Sequence, residues 1–258
     1  MRIATWNVNS LKARLPRVEA WIAEAAPDVL CIQETKLTDA KFPAEAFSAL
    51  GYEAVHHGQG QWNGVAIISR VGVDDVATGF GALPDPYEGE ARLIAATCGG
   101  VRFVDVYAPN GREVDTDHYV RKLEWLATLR EWLQSTAAPG DPLVLLGDFN
   151  VAPEDRDVWS IDAFAGLTHV TAPERAAISS LCDWGLTDAF RRVDDADGRF
   201  TFWDYRNGDF HKGRGMRIDY LLVTDPVLER VESATIDRDA RTGEKPSDHA
   251  PVVVELRD

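Results

Sequence analysis

A chain of 258 residues, 45% hydrophobic and 27% charged, carries enough apolar material to bury a substantial core, and it contains no Gly/Pro/Ser tract that would keep a segment unfolded. Its 27 basic against 42 acidic side chains give a formal charge of −15, which excludes a surface built to coat nucleic acid non-specifically. Exposed charges are screened beyond about 8 Å, so a local basic patch can still hold a phosphate backbone.

The first strand is predicted over residues 2–8, followed by a helix over 14–26 that stops before Pro27, and by strands over 29–33, 65–69, 92–97 and 102–107. Asp117 is the expected cap of a second helix, on which Tyr119, Leu123, Leu126, Leu129 or Arg130, and Leu133 share one face. A strand over 143–146, a helix over 173–184 ending at Gly185, and strands over 218–223 and 251–256 complete the pattern. This is an α/β chain with sheet dominant. It has no repeat and no linker, so one domain over 1–258 is expected. Cys31, Cys98 and Cys182 lie far apart and are read as small buried hydrophobes in a reducing compartment. The opening residues lack a signal-peptide pattern, and no apolar run approaches the roughly 18 residues of a membrane span. A cytoplasmic protein without a membrane partner is expected.

Polar residues cluster where the strands end. Val29 to Ile32 leads into Gln33-Glu34, and Leu143 to Leu146 leads into Gly147-Asp148-Phe149-Asn150. The order reverses later: Asp248-His249 precedes the last strand, and Asp219 stands at the start of another. If these groups share one site, the later strands run opposite to the earlier ones, which demands mixed sheets and excludes an all-parallel doubly wound fold. Asn7, Glu34, Asp148, Asn150, Asp219, Asp248 and His249 then form a set of mostly hard oxygen donors suited to Mg²⁺ or Mn²⁺, with a single histidine and no thiolate cluster to suggest zinc. No nucleophile elbow, zincin helix, P-loop or dinucleotide fingerprint competes with it. His56-His57 has no further ligand at close spacing, and His118, His169 and His211 are read as surface or capping residues.

Trp6-Asn7-Val8-Asn9, Pro27 to Lys36 with its Gln33-Glu34-Thr35-Lys36 string, Gly147-Asp148-Phe149-Asn150, Arg217-Ile218-Asp219-Tyr220 and Ser247-Asp248-His249-Ala250-Pro251 resemble the exonuclease III family of apurinic/apyrimidinic endonucleases, within the endonuclease/exonuclease/phosphatase superfamily. The resemblance implies a four-layered α/β sandwich, with two packed mixed β-sheets flanked by helices. It implies Glu34 as the main metal carboxylate with Asn7 and Asp248 beside it, and Asp148 with Asn150 handling the attacking water. It further implies His249 on a phosphate oxygen with Asp219 behind it, and Tyr107, Lys122 and Asn110 on the phosphate side. The implied reaction is Mg²⁺-dependent cleavage 5′ of abasic sites in double-stranded DNA, leaving a 3′ hydroxyl, with 3′→5′ exonuclease action and cleaning of blocked 3′ ends, by an enzyme expected to be monomeric.

Chemistry alone does not separate DNA from a phosphoinositide on the same scaffold. The DNA reading rests on residues 191–217, where seven basic and five acidic side chains give a net of +2 against the acidic body. Arg214, Arg217 and their neighbours alternate there with aromatic residues, a combination suited to gripping a backbone. By the same resemblance, Phe202, Met216 and Ile218 line a small apolar pocket for a base-less sugar. The chain departs from some family members at Phe202-Trp203, where they carry Trp and then Phe.

Overall fold

The computed structural model describes residues 1–257. The chain begins with β1 (Arg2–Asn7), crosses through α1 (Leu11–Ala25) to β2 (Val29–Gln33), and after a short α2 (Ala44–Ala49) forms β3 (Glu53–His57) and β4 (Val65–Ser69). It continues with β5 (Asp74–Thr78), β6 (Leu93–Cys98) and β7 (Val101–Tyr107), then crosses through α3 (Asp117–Thr136) to β8 (Leu143–Asp148). Next come α4 (Ala172–Asp183), β9 (Thr187–Asp188), α5 (Asp209–Lys212) and β10 (Asp219–Val223), then α6 (Asp225–Leu228), β11 (Val231–Ile236) and β12 (Val252–Leu256).

These strands form two six-stranded sheets, in the orders β11-β12-β1-β2-β4-β3 and β5-β6-β7-β8-β10-β9. Each sheet has one parallel pair at its centre, β1 with β2 and β7 with β8, and antiparallel neighbours everywhere else. A parallel pair needs a crossover, and α1 and α3 supply them. β2 and β8 are buried at every residue, which is why Val29–Ile32 and Leu143–Leu146 are continuous apolar runs instead of alternating ones. Val29 and Cys31 of β2 and Val144 and Leu146 of β8 meet in the core between the sheets. Leu30 and Ile32 turn outward to Val18, Trp21 and Ile22 of α1, while Leu143 and Leu145 turn outward to Trp125, Leu126, Leu129 and Leu133 of α3. Helix, sheet, sheet, helix is the four-layered arrangement that the resemblance implied.

The strands that sequence patterning misses are β3, β5, β9 and β11. All four lie at sheet edges, where charged and exposed residues replace the apolar run. α1 starts at Leu11, three residues before the predicted start. The amides of Ser10 and Leu11 are satisfied from outside the helix, by the carbonyls of Glu34 (2.7 Å) and Thr35 (3.0 Å), a signal that local periodicity lacks. On α3 the cap is Thr116, whose side chain accepts from the Tyr119 amide, and Asp117 is the first helical residue. The buried face of that helix takes in Lys122, Trp125 and Trp132, while Leu123 is only half-buried.

Candidate active site

β1, β2, β7 and β8 run out at one rim, and β10 and β12 start from it. The register places Asn7 beside Gln33, Tyr107 beside Asp148, and Asp148 opposite Asp219. Asn7 ties the two sheets together, since its Nδ2 donates to Glu34 Oε1 and to Asp148 Oδ2, each at 2.9 Å. Its backbone carbonyl accepts from the buried Ser247 hydroxyl (2.7 Å), and the Trp6 indole donates to the His249 carbonyl (3.1 Å), so the turn before β12 is pinned to β1. Ligand atoms of Glu34, Asp148 and His249 all fall within 4.8 Å of one another.

The electrostatics follow from crowding acids in a dry rim. His249 Nδ1 lies 2.8 Å from Asp219 Oδ2, and its Nε2 is 3.8 Å from Asp148 Oδ2. Burial pulls the imidazole down, but Asp219, Asp148 and Asp248 together outweigh it and hold His249 up at about 10, an imidazolium at neutral pH. Burial and the facing Asp219 push Asp148 up to about 7, against the pull of His249 and Asn7. Burial also acts to raise Glu34, yet Lys36, whose Nζ is 2.9 Å from Glu34 Oε2, and Asn7 keep it below the usual glutamate value. Burial next to Glu34 and Asp148 raises the Tyr107 hydroxyl well above its ordinary value, so it is a donor.

On the phosphate side, the Asn150 amide donates to the Ala108 carbonyl (2.9 Å) and accepts from the exposed Asn110 (3.2 Å). Lys122, which the resemblance placed on the phosphate side, has no exposed surface. Its ammonium is fully buried, paired with Glu174, and donates to the carbonyls of Asn150 (2.7 Å) and Asn110 (3.2 Å). It braces the loop carrying those asparagines from beneath instead of touching a phosphate. His169, read as a surface or capping residue, belongs to the same rim: its Nδ1 is 2.6 Å from the Asn150 carbonyl, and burial beside Lys122 lowers it to about 4. Lys36, Asn9 and His169 are the site neighbours that sequence reasoning passed over. Lys36 was in view in the Gln33-Glu34-Thr35-Lys36 string, whereas His169 follows no strand and gave no signal.

Asp248 turns away from the central group, its Oδ1 accepting from Asn9 (3.0 Å), while Asn9 also accepts from Lys36 (2.5 Å). Phe202 does meet Met216 and Ile218, in an apolar cluster with Ala152 and Val158, and its ring lies 4.9 Å from that of His249. Arg217 departs from expectation most clearly. It is 1% exposed and spends its guanidinium on Asp157 (2.7 Å) and Asp188 (2.5 Å), so it offers nothing to a ligand. Arg191, Arg199 and Arg206 are likewise paired, with Asp157, Asp194 and Asp204. Among the described residues, Arg192, Lys212 and Arg214 remain exposed without a carboxylate within 4 Å, and Arg214 stacks 4.9 Å over Trp159.

The donor set fits a hard divalent cation. Two carboxylates converge, offset by Lys36, the His249 imidazolium and the Asn7 amide but with Asp219 and Asp248 adding to the negative charge, so Glu34 and Asp148 could hold Mg²⁺ or Mn²⁺ with water completing the shell.

A model of the endonuclease/exonuclease/phosphatase family matches residues 4–249. The chain is 33% identical over 269 residues to exodeoxyribonuclease III of Haemophilus influenzae, covering all of both chains. An AP endonuclease from Archaeoglobus fulgidus superposes with a TM-score of 0.96 at 38% identity, and the 3′ phosphatase NExo from Neisseria, bound to a product DNA hairpin, with 0.95 at 40%, each over the full length of both chains. Among the described residues, no helix is long and apolar enough to cross a membrane.

Proposed function

We propose that this chain, which belongs to the endonuclease/exonuclease/phosphatase family, is a divalent-metal-dependent DNA-repair phosphodiesterase, a hydrolase of phosphoester bonds. It cuts double-stranded DNA 5′ of abasic sites to leave a 3′ hydroxyl, trims 3′ ends as an exonuclease and removes 3′ blocks. The observation that carries the reading is the convergence of Glu34, Asp148 and His249 within 4.8 Å, drawn from strands at opposite ends of the sequence. Mg²⁺, or Mn²⁺ in its place, is the proposed cofactor, held chiefly by Glu34 with Asn7, Asp148, Asn150 and Asp248 nearby. When bound it supplies positive charge to the phosphate and to the departing oxygen.

Asp148, poised near 7, takes the proton of the attacking water, and Asn150 holds that water in line with phosphorus. The His249 imidazolium, fixed through Nδ1 by Asp219, points Nε2–H at a non-bridging oxygen and stabilises the charge that grows there. Tyr107 at the end of β7 and Asn110 in the loop after it donate to the phosphate. Phe202, Met216 and Ile218 admit the smaller base-less sugar, and a missing base lowers the cost of extruding it. Arg214, exposed on Trp159, is the basic contact of segment 191–217 best placed to reach the backbone. A single catalytic domain, a monomer and a cytoplasmic location complete the proposal; three free cysteines suit a reducing compartment.

The test is a duplex with one synthetic abasic site beside a phosphoinositide, each with Mg²⁺ and again with chelator, with product ends identified. Cutting 5′ of the lesion, abolished by chelator, is expected. Turnover of the lipid with the duplex left intact would overturn the DNA assignment. Phe202→Ala is expected to reduce abasic-site cutting about tenfold more than removal of a 3′ phosphate, since one lost apolar contact costs on the order of 1–3 kcal/mol in discrimination.

A further inference from the structure

We propose that Asp39, His56 and Thr35 form a positioning relay that fixes Glu34 for its metal. The inference rests on Glu34 being the metal carboxylate. Glu34 and Lys36 both have φ of 54°, the left-handed region that side chains with a Cβ rarely adopt, so the loop leaving β2 must be held from outside. Four backbone bonds contribute: Ser10 N–H to Glu34 O (2.7 Å), Leu11 N–H to Thr35 O (3.0 Å), Thr35 N–H to Gly64 O (3.1 Å) and Lys36 N–H to Asn63 O (2.9 Å). Between the two left-handed residues, the fully buried Thr35 adds a side-chain anchor, with Oγ1 2.8 Å from His56 Nε2.

The other edge of His56 faces a carboxylate. Nδ1 lies 2.9 Å from Asp39 Oδ1, which also accepts from the Gly58 amide (2.8 Å), and the ring stacks on Phe42 at 4.4 Å with 13° between planes. The carboxylate favours the proton on Nδ1, although the pair is not aligned as a hydrogen bond, and that tautomer leaves the Nε2 lone pair to accept from the Thr35 hydroxyl. Burial holds His56 down at about 4, consistent with a neutral ring. The surroundings are cut to this contact. A Cβ at Gly58 would sit 2.1 Å from His56 Cε1, and one at Gly64 would sit 2.0 Å from Thr35 Oγ1, so both glycines are required for the pair to close. The trio has the composition of a nucleophilic triad, but Thr35 is 0% exposed and no substrate can reach its hydroxyl. What remains is orientation: partners behind a metal ligand set its direction, and their loss weakens the metal 10- to 100-fold in general.

Mn²⁺ binding to the metal-free protein, followed by the electron-spin signal of the free ion, tests the relay in Thr35→Val, His56→Ala and His56→Gln, with Glu34→Gln as reference. Thr35→Val and His56→Ala are expected to weaken Mn²⁺ by about 10-fold, with kcat at saturating Mn²⁺ within about threefold of the parent. His56→Gln, whose amide can accept from Thr35 and donate to Asp39, is expected to restore most of the affinity. Should Thr35→Val and His56→Ala bind Mn²⁺ as the parent does while Glu34→Gln loses it, the relay is wrong and the metal assignment stands. Should Glu34→Gln bind normally, both are wrong. Circular dichroism confirms folding of each variant; if His56→Ala does not fold, the near-isosteric Thr35→Val against His56→Gln decides the question.

Discussion

The rim at Glu34, Asp148 and His249 and the arginine-rich segment at 191–217 are both dense in charge, and they handle it in opposite ways. At the rim, acids crowd together with too few cations, so Asp148 is driven up and His249 is held protonated. In the segment, four arginines are neutralised by aspartates of their own chain, and Arg217 is sealed inside the fold. Unbalanced charge marks a place that awaits a ligand, whereas balanced charge builds structure, and a residue count cannot tell the two apart.

The contrast can be broken at its strongest point first. Asp148→Asn is expected to lower cleavage of an abasic duplex by about 10³-fold or more, the range for a lost general base, with the urea midpoint unchanged or raised because a strained buried acid is gone. Parent-like turnover would remove Asp148 from the chemistry. In the segment the balance reverses: Arg217→Met is expected to cost about 3 kcal/mol of stability or more, because Asp157 and Asp188 lose a buried partner. A loss under about 1 kcal/mol in urea unfolding would mean that the network is not cooperative.

A third test uses acid. Burial acts to raise Glu174, but Lys122 and the Thr168 hydroxyl hold it down at about 2, below its ordinary 4.5. Its contribution is therefore complete above pH 4.5 and is lost as pH falls towards 2. The fall is expected to be at most about 3 kcal/mol, from the Glu174 depression alone, since the lowering of Lys122 from 10.5 by burial bears on the alkaline side. Urea midpoints from pH 5 to pH 2.5, compared with Glu174→Gln, isolate it; identical pH slopes would contradict it. The smallest effect belongs to the exposed pair Arg199–Asp194, where Arg199→Gln should change stability by no more than about 0.5 kcal/mol.

Asn7, Glu34, Asp148, Asp219 and His249 were legible in the sequence because each adjoins an apolar strand, and reversed strand polarity brought them to one rim without any contact being known. Arg217 was not legible. Its partners lie 60 and 29 residues away, so it looked like any other arginine in a basic stretch. Lys122 was readable in principle, since its spacing from Tyr119, Trp125 and Leu126 places it on the buried stripe of α3, but a lysine there makes sense only once Glu174 is opposite. Edge strands such as β5 stayed hidden because their exposed residues carry no period.

The pairing of β1 with β12, with Arg2 opposite Glu255, has a temporal consequence. Strand β12 is inserted between β1 and β11, and the turn before it delivers His249. During synthesis every other member of the rim emerges first and must wait, so a nascent or prematurely stopped chain carries its acids without the imidazolium. On the proposed assignment, His249 is thus the last of these groups to join the rim.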